Sequence, residues 1–317
     1  MKRFLSCDWG TSSLRLRLVN TGSRQVLCEV ISNNGVLSVF NEWKNQGEED
    51  NSRLRFYLDI LSEQIREIEQ QLLFSLKETP LIISGMASSA IGMMELPYKK
   101  IPYVVNEDLI IQNIGSTNAF KHPILLISGI RSDDDVIRGE ETQLLGCIEK
   151  ENSNGLFIFP GTHSKHILVK NGIANKFKTF MTGEFFELLS KKSILAGSVE
   201  QGSELKDHDN LRSFQSGVNE SSRSSLLHGS FKVRTNNLFQ SLSKQQNYFF
   251  LSGLLIGTEL KELVDISETI TVVSDKLHEQ LYKAALNCLG IHSANFYNST
   301  DAVLSGHEKI YSRGVAL

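Results

Sequence analysis

The feature that most narrows what this chain can fold into is a pair of look-alike bends half a chain apart. The first is Asp8-Trp9-Gly10-Thr11-Ser12-Ser13, set between the apolar run Phe4-Leu5-Ser6-Cys7 and the alternating run Leu14-Arg15-Leu16-Arg17-Leu18-Val19. Alternation with period two, ending at Asn20-Thr21-Gly22, predicts a β-hairpin followed by a turn. The second bend is Gly161-Thr162-His163-Ser164-Lys165. The strand-like run Gly155-Leu156-Phe157-Ile158-Phe159-Pro160 precedes it, and His166-Ile167-Leu168-Val169-Lys170 with the turn Asn171-Gly172 follows. When Gly10-Thr11 is laid on Gly161-Thr162, the two turns fall within one residue of each other, and a third strand-like run follows in each copy. A two-fold repeat at this spacing means two similar lobes.

Both bends suit an anion. Gly10 is expected to permit a backbone conformation that a Cβ would block, while Thr11, Ser12 and Ser13 supply small hydroxyls and open N–H groups. Asp8 is a candidate magnesium ligand beside the same phosphate. Taken alone, the first bend reads better as an ordinary turn whose carboxylate bonds local N–H groups; its echo in the second bend favours phosphate. His163 and Lys165 flank the second bend as donors to the β- and γ-phosphates, with Gly161, Thr162 and Ser164 between and beside them. The two bends, facing each other, are expected to hold one polyphosphate in a cleft between the lobes.

One such hairpin per lobe is the architecture of the actin, Hsp70 and sugar kinase superfamily, and four segments, the second bend among them, sharpen the resemblance. Gly139-Glu140-Glu141-Thr142-Gln143-Leu144-Leu145-Gly146, Pro160 to Lys165, Met181-Thr182-Gly183-Glu184 and Leu251-Ser252-Gly253-Leu254-Leu255-Ile256-Gly257 resemble, in order, the signatures of the 2-dehydro-3-deoxygalactonokinase family. The resemblance runs from Cys7 to about Gly314. It implies an α/β fold of two ribonuclease H-like lobes, each a mixed sheet with flanking helices and a cleft between. It also implies ATP-dependent, magnesium-assisted phosphorylation of 2-dehydro-3-deoxy-D-galactonate at its 6-hydroxyl, a step in galactonate breakdown. On this basis residues 1–150 form an N-terminal lobe and 151–317 a C-terminal lobe with an adenosine-side helix, joined by the polar linker Glu151 to Gly155.

An acid sugar needs a cation for its carboxylate. Arg131, just beyond the apolar strand Ile124 to Ile127, has the planar fork for it, and pairing with Asp133 to Asp135 is the alternative. The segment Asp135 to Glu141 also resembles the Gly-x-Glu-Glu stretch of exopolyphosphatases, in which an acidic residue handles the nucleophile's proton. Neighbours on a helix point about 100° apart, so one glutamate enters the site, and Glu140 is favoured. Both acids otherwise suit a helix N-terminus electrostatically. Thr182 is expected to cap a helix whose amides suit a phosphate or substrate oxygen, with Glu184 placed in the substrate site. The small-residue segment Ser84 to Ser89 ends a buried strand and reads as a ligand loop or a packing loop, although apolar Ala90 to Met94 departs from the family. Sugar kinases usually place a glycine turn against adenosine where this chain has Ser274-Asp275.

Elsewhere, Leu54, Leu58, Leu61, Ile65, Ile68 and Leu72 predict an amphipathic helix. Asn41 to Asn51 reads as a surface loop, 201–247 as helical surface with loops, Leu251 to Gly257 as a buried helix, and 301–317 as a closing helix. A net charge of −3 over 317 residues supplies no broad basic surface for nucleic acid. Cys7, Cys28, Cys147 and Cys288 form no Cys-x-x-Cys pair. No run approaches the ~20 apolar residues of a membrane helix, and the apolar run after Met1-Lys2-Arg3 stops at Asp8, too soon for a signal peptide. The expectation is a soluble cytoplasmic enzyme whose partners are a small sugar acid and ATP; a homodimer is compatible with the sequence. The rivals are a phosphohydrolase of the exopolyphosphatase kind and a non-catalytic, nucleotide-responsive sugar-binding protein.

Overall fold

A computed structural model describes residues 2–47, 52–148, 154–202, 204–263 and 266–313. The chain begins with β1 (Arg3–Trp9), β2 (Leu14–Asn20), β3 (Val26–Ser32), α1 (Val36–Asn45), α2 (Arg53–Leu72) and β4 (Leu81–Gly85). There follow β5 (Lys99–Lys100), β6 (Tyr103–Val104), β7 (Ile111–Ile114), β8 (Ile124–Ile127), β9 (Ile130–Arg131), β10 (Val136–Ile137) and α3 (Glu140–Cys147). Then come β11 (Gly155–Phe159), β12 (Ser164–Lys170), β13 (Ile173–Phe180), α4 (Thr182–Glu187), α5 (His208–Arg223), α6 (Leu226–Leu238) and α7 (Lys244–Leu260). The last elements are β14 (Ile270–Ser274), α8 (Lys276–Cys288), β15 (Asn295–Asn298) and α9 (Ser299–Ser312). Among the described residues no helix is long and apolar enough to cross a membrane.

Two compact units emerge. One comprises Met1–Ser153, Lys170–Lys176 and Ser299–Leu317; the other comprises Asn154–Val169 and Phe177–Asn298. The sheet of the first runs β3-β2-β1-β4-β8-β7, with β1 and β2 antiparallel and β4 parallel to both β1 and β8. In the second, the strands run β13-β12-β11-β14-β15, with β11 and β12 antiparallel and β14 parallel to both β11 and β15. A hairpin, a third strand beside it and parallel strands on its other side therefore occur twice, in the same order. This is the ribonuclease H-like arrangement, and two such units in one chain make the fold of the actin, Hsp70 and sugar kinase type.

Period two along β1 sends Leu5, Cys7 and Trp9 to one face, where they meet Val36 and Val39 of α1 and Tyr57, Leu61, Ile65 and Ile68 of α2. The amphipathic stripe of α2 is thus the expected one. Asn41 to Asn45, however, belongs to α1 and not to a loop. Val36, Val39 and Trp43 are buried at helical spacing, and the polar residues between them face outward and mask that period; positions 48–51 lie outside the described residues.

The opposite face of β1 carries Ser6 and Asp8. Here α9 inserts His307, fully buried, with Nδ1 2.7 Å from Ser6 Oγ and Nε2 3.0 Å from Ser84 Oγ. Burial, and next the charge of Arg17, push this imidazole down to about 3, so it is neutral at ordinary pH. Packing of α9 on α3 depends on two glycines: a Cβ on Gly146 would lie 1.8 Å from the Ala302 carbonyl oxygen, and one on Gly306 2.2 Å from that of Thr142. The expected assignment of 151–317 to the second lobe is corrected accordingly, because α9 completes the first unit. The expected linker falls largely on residues outside the described set.

In the second unit α7 is buried along nearly its whole length, as expected. The serine-rich segment before it is more than surface. α5 crosses α7 closely enough that a Cβ on Gly217 would lie 2.1 Å from Phe250 O and one on Gly253 2.0 Å from Phe214 O. Phe214 and Val218 of α5 enter the core beside Leu156, Ile158, Ile256 and Val272.

Candidate active site

The first bend links β1 to β2. The Gly10 N–H donates to Ser13 O at 2.9 Å to close it, and the α1 N-terminus closes over it from outside: the Val36 N–H donates to Gly10 O at 3.0 Å and the Leu37 N–H to Thr11 O at 3.2 Å. Those carbonyls are therefore engaged, while Thr11 and Ser12 stay exposed. The glycine that the backbone requires is Gly35, where a Cβ would lie 2.3 Å from Thr11 O. Gly10 is different from expectation. Its φ is not positive and a Cβ there would meet only Ser13 O, at an ordinary 3.5 Å. Asp8 stands opposite Arg15 in the ladder and accepts from its Nη1 at 3.3 Å.

The parallel register places Asp8 beside Ser84 and Trp9 beside Gly85. Gly85 has φ +92°, and a Cβ on it would lie 2.6 Å from Trp9 O. Gly139, with φ +107°, caps α3, and its own Cβ would lie 3.5 Å from the Gly85 α-carbon. The first residues of α3 are thereby brought to the carboxyl end of β1 and β4, where Asp8 is. Of the two glutamates, Glu141 is turned inward and fully buried, and its carboxyl accepts from the Gly139 N–H at 2.7 Å and the Thr142 hydroxyl at 3.1 Å. Burial, and next the charge of Glu140, push it up to about 8. Glu140 is half-buried and is the more open of the two, although its Oε2 is itself buried.

Arg138 went unnoticed in the sequence. Its Nη1 donates to Ser88 Oγ at 2.6 Å and its Nη2 to Leu96 O at 3.0 Å, with the guanidinium 4.0 Å from the Tyr98 ring centre. It braces the small-residue segment beyond β4; the signal was its position directly before Gly139. Arg131 is exposed in β9, and Asp133 takes a lysine as its ion partner, Lys100 Nζ at 2.5 Å.

In the second unit, a Cβ on Gly161 would meet nothing within 4 Å. The bend is held instead by α4. A Cβ on Gly183 would lie 2.6 Å from Gly161 O, the Glu184 N–H donates to Thr162 O at 3.0 Å, and the His163 and Glu184 side chains meet at 2.5 Å. Thr162 and His163 are exposed. Ser164 and Lys165 are not. The Ser164 hydroxyl donates inward to Glu259 Oε1 at 2.7 Å, and the buried Lys165 turns its ammonium back to His163 O at 2.7 Å. As neighbours at the start of β12 they point to opposite faces of the strand, Ser164 inward to Glu259 and Lys165 back to the His163 carbonyl, so neither side chain stands open on the bend as expected. Likewise, the carboxylate of Glu184 serves His163.

Glu259 is a second group that the sequence did not announce. Almost fully buried, it also accepts from His166 Nε2 at 2.8 Å, from the Thr182 hydroxyl and from the Tyr282 hydroxyl at 2.9 Å. Burial acts to raise this carboxyl, but hydrogen bonds from His166, Thr182 and Ser164, with the charge of His166, outweigh it and hold it below the usual range. A lone acid two residues beyond Gly257 in an apolar helix was the available signal. Beside this cluster is a cavity of about 590 Å³ whose wall includes Gly161, Thr182, Gly183, Ser252, Lys276 and Tyr282. Its size lies within the range of small-molecule sites. Asp275, in the turn that departs from the usual glycine, caps α8: its Oδ1 accepts from the His278 N–H at 2.9 Å. The His278 side chain, also bonded to it, is the main reason its carboxyl is held down to about 2.

The family model described as 2-keto-3-deoxy-galactonokinase matches residues 8–310. The 2-dehydro-3-deoxygalactonokinase of Escherichia coli (strain K12) is 27% identical over 307 residues, which cover 91% of this chain and 90% of that one. A probable 2-dehydro-3-deoxygalactonokinase of Rhizobium meliloti (strain 1021) is 27% identical over 313 residues, 96% and 94% of the two chains. Among solved structures, that of "a putative 2-dehydro-3-deoxygalactonokinase protein from Sinorhizobium meliloti" superposes with a TM-score of 0.81 at 25% identity, covering 99% of this chain and 97% of that one. Component A of the (R)-2-hydroxyglutaryl-CoA dehydratase of Acidaminococcus fermentans shares the fold alone, with a TM-score of 0.50 at 11% identity and 99% coverage of both chains.

Proposed function

We propose a division of labour within a chain that belongs to the 2-keto-3-deoxy-galactonokinase family and is a carbohydrate kinase, a phosphotransferase. Its substrates are ATP and 2-dehydro-3-deoxy-D-galactonate, and the 6-hydroxyl of the sugar acid receives the γ-phosphoryl group. The observation that carries this reading is the meeting of Asp8 and the α3 N-terminus at one end of β1 and β4, set by Gly85 and Gly139.

Phosphoryl transfer asks the protein chiefly for alignment and charge neutralisation. Thr11, Ser12 and Ser13 of the first bend and Gly161, Thr162 and His163 of the second are the phosphate-facing groups, and Gly10 leaves room for close approach. Glu140 accepts the proton of the attacking hydroxyl, help that is typically worth ~10² to 10⁴ in rate. Arg131 takes the sugar acid's carboxylate by its planar fork. The 590 Å³ cavity of the second unit receives the nucleoside.

Among the described residues no group of three or more His, Cys, Asp or Glu is placed to hold a metal ion. That suits magnesium, which keeps several waters and takes one or two carboxylates together with substrate phosphates. Asp8 is the carboxylate that would hold it, and when bound it offsets the charge of the phosphates. The four cysteines are free, in keeping with the reducing cytoplasm where ATP is abundant.

The test is a panel of 2-keto-3-deoxy sugar acids with ATP and magnesium, reading ADP release and phosphorylated product. Release that depends on the galactonate-derived acid is expected. ADP release at the same rate without any sugar would replace the kinase assignment with a hydrolase.

A further inference from the structure

Glu259 is the place where four elements of the second unit are tied together. Ser164 and His166 reach it from β12, Thr182 from the start of α4 and Tyr282 from α8, while Glu259 itself is on α7. All four donors are side chains, so this joint exists only in one arrangement of the surrounding elements. Two of the donors, Thr182 and Tyr282, also form wall of the cavity, and Gly183, next to Thr182, packs on Gly161. An ionised carboxylate in a protein interior is costly unless donors reach its oxygens, and apolar residues of similar size often serve stability as well or better. Such a group is therefore informative about geometry more than about packing.

We propose that Glu259 is a positioning residue for the nucleotide: through Thr182 and Tyr282 it sets the width of the cavity, and through Ser164 it sets the start of β12 and hence the bend at Gly161. It touches no ligand. This inference rests on the cavity being the nucleotide site. Glu259→Gln keeps the shape and removes the charge, but its amide NH₂ would face donors where an acceptor is needed. A buried donor left without its acceptor costs enough to weaken a site by roughly tenfold to a hundredfold. Because the Gly161 bend and the Thr182 corner are displaced while Arg131 and Glu140 are not part of the joint, the loss should fall on the nucleotide alone.

The test measures ADP binding by titration calorimetry, without sugar, and the separate KM values for ATP and sugar acid. Glu259→Gln should weaken ADP binding and raise the KM for ATP by about tenfold or more, with the KM for the sugar acid within about twofold of wild type. Glu259→Asp, which restores the charge, should recover part of the loss. Thr182→Val removes a single donor and should give a smaller loss in the same direction; it keeps the idea testable should Glu259→Gln fail to fold. Unchanged ADP binding in folded Glu259→Gln or Thr182→Val, or equal losses for ATP and sugar acid, would overturn the proposal. Failure of the wild-type protein to bind ADP would instead remove the nucleotide assignment on which it rests.

Discussion

Gly139 rests directly against Gly85: a Cβ on the former would stand 3.5 Å from the α-carbon of the latter, and both backbones have positive φ. This glycine pair brings the beginning of α3 to the end of β4, and with it Glu140 to the end of the sheet that carries Asp8. Geometry that depends on missing side chains separates fold from function in a measurable way.

Gly85→Ala meets both obstacles, a φ of +92° and a backbone oxygen 2.6 Å away. It should cost about 1–3 kcal/mol or more in urea unfolding and lower turnover with it. Gly10→Ala and Gly161→Ala meet neither. Both should unfold at the wild-type denaturant concentration, yet raise the KM for ATP, since the added methyl occupies room reserved for phosphate. Wild-type kinetics in both alanine variants would remove the two bends from the phosphate site.

Glu140→Gln should lower kcat by ~10² to 10⁴ while ADP binding measured by calorimetry is retained. Asp8→Asn should also lose turnover, and its fold should survive, because the Asp8–Arg15 pair is partly exposed and pairs of that kind contribute about 0–1 kcal/mol. A Glu140→Gln protein that loses stability and keeps its kcat would reduce the residue to a helix-end charge.

Replacing Arg131 by alanine should raise the KM for the sugar acid tenfold or more, the scale of a lost charge-assisted pair, and leave that for ATP unchanged. Equal effects on both substrates would take Arg131 out of the sugar site.

Glu141 predicts a pH dependence of stability. With its carboxyl raised from 4.5 to about 8, the folded protein retains a proton that the unfolded chain releases across that window. Stability is therefore full below the lower value, falls as pH rises towards about 8, and levels off above it. Glu141→Gln is neutral throughout. The unfolding free energy of wild type minus that of the variant should accordingly fall between about pH 5 and about pH 8, and a constant difference would show that Glu141 is ionised in the fold.

Much of this was legible because strands and helices announce themselves by period. The alternation around Asp8 and Gly161 exposed both hairpins and their repetition, the spacing from Leu54 to Leu72 exposed α2, and the angle between helical neighbours foretold that Glu140 and Glu141 would part company. What stayed hidden depends on partners remote in sequence. Asn41 to Asn45 looks like loop until Val36, Val39 and Trp43 have a sheet to face. Ser164 and Lys165 look like phosphate ligands until Glu259, 95 residues on, draws the serine inward and the His163 carbonyl takes the lysine's ammonium. No local pattern told Ser299 onward to join the first unit, because that choice rests on the fit of Gly146 to Ala302 and of Gly306 to Thr142.

The seat of α9 has a consequence for how the protein is made. Ribosomes deliver residues in order, so β1 and β4 emerge with Ser6 and Ser84 long before His307 arrives to bond them both. Until α9 arrives, the earlier-born unit lacks the helix that packs on α3 and the histidine that bonds its two serine hydroxyls. It can complete itself only after the later-born unit has been translated, and the arrival of α9, not synthesis of its own earlier strands, is the event that closes it.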